Sequence, residues 1–114
     1  MFDAEDWYKA LNAHDLERIL AHYDDAIRFY SPFAAALVPG SEGLIEGKEA
    51  LRKYFETALA KYPDLRFEPW DRFDGAGSAV LRYRSVAGKT AAEVFVLGPD
   101  GKIVEVRAHY HDRG

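Results

Sequence analysis

Glu93 is the acidic residue whose surroundings set it apart. In the run TAAEVFVL, strand alternation puts Ala91, Glu93, Phe95 and Leu97 on one face and Val94 and Val96 on the other. A carboxyl among apolar neighbours is costly when ionised unless it is paired or hydrogen-bonded. Lost solvation raises its pKa, and such a group can serve as a general acid or base near neutrality. The reading depends on register, since a shift of one residue moves Glu93 into solvent. The hydroxyls of Ser31, Tyr54, Tyr83 and Tyr110 are the other polar points able to orient a small organic molecule. His109 and His111, followed by Asp112, have the i, i+2 spacing of a strand-borne metal pair. No third ligand with recognisable spacing accompanies them, so neither a metal nor another cofactor is expected.

These residues must be positioned by helices first and strands later. Trp7, Tyr8 and Leu11 share one face of a helix over 2–13, with Asp3 as its N-cap. Leu16, Ile19, Leu20 and Tyr23 share one face of a second helix over 15–23, capped by Asp15, with His14 a surface residue in the turn between. The period then changes to two. Over 26–31, Ile27, Phe29 and Ser31 point one way and Arg28 and Tyr30 the other, until Pro32 ends the strand. Leu51, Tyr54, Phe55, Ala58, Leu59 and Tyr62 mark a third helix over 48–62, between Gly47 and Pro63. Three turn signals, around Gly75, Gly88 and Gly101, then separate strands expected near 65–73, 78–86, 90–97 and 102–111. The fold class is α+β, with an antiparallel meander at the end.

Segment 33–46 is apolar for a connection and carries Pro39, Gly40 and Gly43. It reads as a long loop that either covers a cavity or buries against a second subunit.

Alternation assigns the faces of the later strands. Leu81 and Tyr83, then Val106, Ala108 and Tyr110, point toward the helices. Arg82, Arg84, Glu105, Arg107, His109 and His111 point away. Trp7, Phe29, Tyr54, Phe55, Tyr83, Phe95, Val106 and Tyr110 are therefore either pocket walls or simple core.

Composition narrows the function classes. The chain has 114 residues, 48% hydrophobic and 30% charged, as expected for one folded domain over 1–114. Its net charge of −4, with no basic block, makes nucleic acid an unexpected partner. Cysteine is absent, which excludes disulfides, thiol nucleophiles and thiolate metal sites. No apolar run approaches 20 residues and no signal peptide is visible, so no membrane association and a cytoplasmic location are expected.

The string ALNAHDLERILAHYDDAIRFYSP (10–32), the helix start GKEAL (47–51) and the hairpin pattern F-x-L-x-x-D-G-K-I-V within 94–107 resemble the NTF2-like superfamily, in its SnoaL-like and ketosteroid isomerase-like branch. The resemblance covers nearly the whole chain. It implies three N-terminal helices packed on a curved, mostly antiparallel sheet, forming a cone around an apolar pocket, and it makes a homodimer an expected partner. Matched to the isomerase pattern, the general-base position is Ser31, the oxyanion-tyrosine position is Trp7 and the protonated-carboxyl position is Glu93. A serine is no base without activation, and an indole N–H is a weaker donor than a phenol. Steroid isomerisation by that mechanism is therefore not expected.

Two readings follow. In the first, the cone binds a small apolar organic molecule and converts it by acid/base chemistry of isomerase, cyclase or hydratase type, with Glu93 and Ser31 as catalytic candidates. In the second, the chain is a non-catalytic dimeric module that binds a ligand or a protein. A scaffold with a filled core and no substrate also fits the sequence.

Overall fold

Asp3 and Asp15 start the first two helices. Asp3 accepts a hydrogen bond from the Asp6 amide at 3.0 Å, and Asp15 one from Arg18 at 3.3 Å. Each satisfies an amide the helix leaves free. In the computed structural model, which describes residues 2–111, helix α1 spans Ala4–Asn12 and α2 spans Leu16–Leu20. His14 turns the chain between them with a positive φ of 55°, and its Nε2 sits 2.9 Å from the Leu65 carbonyl oxygen.

The second helix is shorter than its periodicity predicts. Tyr23 leaves it and opens strand β1, Tyr23–Tyr30. The Ile103 amide bonds the His22 carbonyl at 2.9 Å, drawing the chain into the sheet just before Tyr23. The apolar position that would complete the helical face is also an inward strand position, so spacing alone does not distinguish them.

Segment 33–46 is not an irregular loop. Ser31 caps a fourth helix, α3, Pro32–Leu37, by accepting from the Phe33 amide at 3.1 Å. Pro32 sits at the first helical turn and three alanines follow, a sequence suited to a short helix. Gly43 then passes close beneath Ser31. Its φ is +89°, and an added Cβ would stand 3.3 Å from the Ser31 carbonyl oxygen. Strand β2, Leu44–Glu46, follows and pairs with β1, and Gly47 leads into α4, Lys48–Lys61.

Strands β3 (Glu68–Gly75), β4 (Ser78–Arg84), β5 (Thr90–Leu97) and β6 (Ile103–His111) form the expected meander. The β4–β5 connection contains a single 3₁₀ turn, Val86–Gly88. The sheet order is β2-β1-β6-β5-β4-β3, antiparallel throughout except that β1 and β6 run parallel. The architecture is thus α+β with four helices and a mixed sheet. Register shifts between Pro69 and Asp71 and between Val96 and Leu97 interrupt the ladders, and irregularities of this kind bend a sheet.

The helices cover one face. Between them and the sheet lies a core that includes Trp7, Leu11, Tyr23, Leu51, Phe95 and Val106. Asn12, at the end of α1, fastens the chain entering β3: its Oδ1 accepts from the Phe67 amide at 2.7 Å and its Nδ2 donates to the Phe67 carbonyl at 3.0 Å. On the opposite face Arg82 and Arg84 stack on Trp70, and Phe73 is 60% exposed. Among the described residues no helix is long and apolar enough to cross a membrane.

Candidate functional site

Cross-strand pairing carries three titratable side chains to one place. Tyr83, Ala91 and Tyr110 form one row across β4, β5 and β6, and Leu81, Glu93 and Ala108 form the next. All six point toward the helices. Alanine between the two tyrosines, and again beside Glu93, leaves room for the rings to lean across, and diagonal neighbours on a sheet face are within reach of long side chains.

Glu93 is 3% exposed and receives a short hydrogen bond from the Tyr83 hydroxyl to Oε1. Burial disfavours its charged form and pushes its pKa up to about 7, against an opposing pull from the Tyr83 bond. The surrounding phenols are held neutral. Burial, and then the Glu93 charge, raise Tyr83 and Tyr110 well above the ordinary tyrosine value. Tyr54 is raised chiefly by burial, with hydrogen bonding to Ser31 in opposition. Hydrogen bonding to Ser31 and to Tyr83 likewise counters part of the rise at Tyr110. Glu93, Tyr83, Tyr110, Ser31 and Tyr54 thus form one cluster of polar groups, with a direct hydrogen bond from Tyr83 to Glu93.

A small cavity of about 40 Å³ lies against this cluster. Of the candidate residues, Glu93, Trp7, Phe29, Tyr54, Phe55, Tyr83 and Tyr110 line it. Phe95 and Val106 do not. Both are fully buried in the core behind the wall, Phe95 packing on Phe2 and Trp7 with ring centroids 4.9 and 5.1 Å away. Ser31 is 4% exposed and lies behind the tyrosines, where its oxygen caps α3. Trp7 offers its ring only, since its indole N–H already donates to the Tyr23 hydroxyl at 3.0 Å.

Other lining residues escape sequence reading. Phe33 and Leu37, on α3, cover one side; the Phe33 ring meets Tyr110 edge-on at 4.7 Å and Tyr62 at 5.9 Å. Phe67, Ser85 and Val86 line the other end. The apolar character of segment 33–46 signals the first group. The second group is missed because spacing puts Phe67, Ser85 and Val86 inside strands over 65–73 and 78–86, whereas β3 begins at Glu68 and β4 ends at Arg84, leaving them in the connections beside the cavity.

One further hydroxyl is notable. Tyr8 packs edge-on against Trp7 and Tyr83, and its buried oxygen has no hydrogen-bond partner. Of the candidate metal set, Asp112 lies outside the described residues, and among the described residues no three His, Cys, Asp or Glu side chains converge.

The model of the SnoaL-like domain family matches residues 4–106. A SnoaL-like protein of unknown function from Burkholderia thailandensis is 39% identical, with a TM-score of 0.90, the match covering 95% of this chain and 90% of that one. An NTF2-like protein of unknown function from Cytophaga hutchinsonii shares the fold at 15% identity and a TM-score of 0.75, over 95% and 86% of the two chains. IdmH, a candidate polyketide cyclase from Streptomyces antibioticus, does so at 18% identity and a TM-score of 0.78, over 96% and 89%. No curated protein matches the sequence.

Proposed function

The chain belongs to the SnoaL-like domain family of the NTF2-like superfamily, and from that premise we propose that its cavity binds a small apolar organic molecule and converts it by acid/base chemistry at Glu93. One observation carries the reading: a carboxyl 3% exposed borders an otherwise apolar cavity, with a tyrosine hydroxyl on one of its oxygens. Glu93 as carboxylate takes a proton from a carbon or hydroxyl of the ligand and returns it at a neighbouring atom. With a pKa near 7, both forms are available at neutral pH. The neutral phenols of Tyr54 and Tyr110 supply O–H groups for charge developing on a ligand oxygen, while the Tyr83 O–H is held by Glu93. The aromatic walls formed by Trp7, Phe29 and Phe55 suit an isomerase, cyclase or hydratase substrate with an apolar skeleton. The fold-level likeness to IdmH is compatible with this and specifies no substrate.

In this proposal Ser31 acts as a positioning residue. Its oxygen accepts from the Phe33 amide and it stands beside the Tyr54 and Tyr110 hydroxyls, so it orients phenols and holds α3 in place. Trp7 contributes ring surface alone.

The test is a carboxyl-carbon NMR titration of Glu93, with Glu93→Gln as the assignment control. A midpoint near 7 is the expected result. A midpoint at or below the ordinary glutamate value, about 4.3, would remove Glu93 from the role.

A second reading concerns assembly. Phe73, Val80 and Val94 form one cross-strand row on the outer face of the sheet, ending at Arg107. Among the described residues Phe73 is the large hydrophobic residue left exposed. We propose that this face meets a second copy of the chain, which serves equally well if the domain binds its ligand without converting it.

A further inference from the structure

The cavity opens between the end of α4 and the turn joining β4 to β5. Tyr62, Leu65, Ser85 and Val86 line both the cavity and a groove just outside it, and the groove adds Lys61, Asp64 and Arg66. The inner walls are apolar apart from Glu93 and hydroxyls. The rim carries two cations against one carboxylate, a local excess of positive charge on a chain whose net charge is −4.

Arg66 is unlike the other arginines. Arg18, Arg28, Arg52, Arg72, Arg82 and Arg107 each pair with a carboxylate. Arg84 stacks on Trp70. Among the described residues Arg66 has neither kind of partner, although Asp64 is two positions away. Lys61 is likewise without a carboxylate, and its ammonium stands 6.0 Å from the ring of Tyr62, which lines both spaces. Both side chains are able to turn toward an anion at the mouth, the guanidinium by a two-point contact with a carboxylate.

We propose that the ligand is an amphipathic anion: its apolar body fills the cavity toward Glu93, and a carboxylate or comparable anionic group stays at the rim beside Lys61 and Arg66. This rests on the ligand-binding role proposed above. Electrostatics and solvation select that orientation. An anionic group carried inside would lose its water and face the carboxyl of Glu93. At the rim it keeps water and gains two nearby cations, so the ligand enters with its apolar end first. The cations also favour encounter with anions over neutral molecules of the same shape.

The test uses 4-phenylbutanoate and 4-phenylbutan-1-ol, which share a body and differ in charge. Binding is read from the Trp7 indole N–H resonance, with Trp70 on the outer face as internal control. At low salt the carboxylate should bind about three- to tenfold more tightly than the alcohol. In the double variant Lys61→Gln, Arg66→Gln that preference should vanish while alcohol affinity holds. Both positions are exposed, and an unchanged thermal midpoint verifies the fold. Equal affinities in the unaltered protein, or a double variant that weakens both compounds alike, would overturn this inference and leave the cavity reading intact. If neither compound moves Trp7 at millimolar concentration, the ligand-binding reading falls and this inference with it.

Discussion

The Tyr83 hydroxyl donates to the Glu93 carboxylate across the β4–β5 pair, from one row of the sheet face to the next. Burial favours the neutral acid, while the bond favours the anion, and burial prevails. The folded protein therefore holds the Glu93 proton to a higher pH than the unfolded chain does.

That difference has a stability consequence. Between the ordinary glutamate pKa of 4.5 and the folded value of about 7, the native state binds more protons than the unfolded state. Stability therefore falls as pH rises through this window and levels off above it, by about 3 kcal/mol in all. Glu93→Gln should abolish this fall. Denaturant midpoints at pH 5 and pH 8 should differ in the parent protein and converge in the variant.

Tyr83→Phe removes the donor and leaves the ring. Glu93 should then titrate above about 7, because the interaction that favours its anion is gone. The cost should be about 1–3 kcal/mol where the carboxylate is ionised, and smaller at pH 5 than at pH 8. A Glu93 midpoint that stays put would show the hydrogen bond to be unimportant.

The inward placement of Glu93, Tyr83 and Tyr110 was legible in the sequence because strand alternation is strict and three turn signals fix the meander. Tyr23 and α3 were not. Tyr23 fits a helical face and a strand face equally, and long-range pairing with Ile103 decides between them. α3 is held by a serine cap, a proline and packing of Phe33 on Tyr110, and the last of these is invisible before the sheet is assembled. Phe95 and Val106 share the inward face with Glu93, yet alternation gives the direction of a side chain and not its depth. They lie behind the cavity because the row containing Ala79 sits beneath Phe2 and Trp7.

Ser31→Ala separates positioning from proton transfer. Loss of the α3 cap should cost about 1 kcal/mol and leave the Glu93 midpoint within about half a unit, since Ser31 touches Tyr54 and Tyr110 and not Glu93. Once a substrate is in hand, its turnover should retain the pH profile of the parent protein. A profile that lost its limb near 7 would mean that Ser31 helps to set the titration of Glu93 and does more than orient the phenols.

Phe73→Asp addresses assembly. On an isolated chain this exposed substitution should change stability by at most about 0.5 kcal/mol. In a dimer formed through the outer sheet face it would bury an unpaired charge beside Val80 and Val94. Sedimentation equilibrium should show the parent as a dimer and the variant as a folded monomer. A variant that sediments like the parent would move the interface elsewhere.

Phe33→Ala tests the helix that covers one side of the cavity. Phe33 holds α3 down by edge-on contacts with Tyr110 and Tyr62, at interplanar angles of 81° and 89°. Removing a half-buried ring should cost about 2 kcal/mol. The larger effect should be kinetic. With α3 then held by its Ser31 cap, by the Ser41–Ala34 hydrogen bond and by packing of Ala34 and Leu37, this wall of the cavity yields more readily and a bound ligand leaves faster. Equilibrium affinity should fall less than the residence time, because entry is eased as well. Stopped-flow displacement of a cavity ligand measures both rates. An unchanged dissociation rate in a variant that has lost the expected stability would mean that ligands leave past Ser85 and Val86 instead, through the rim that carries Lys61 and Arg66.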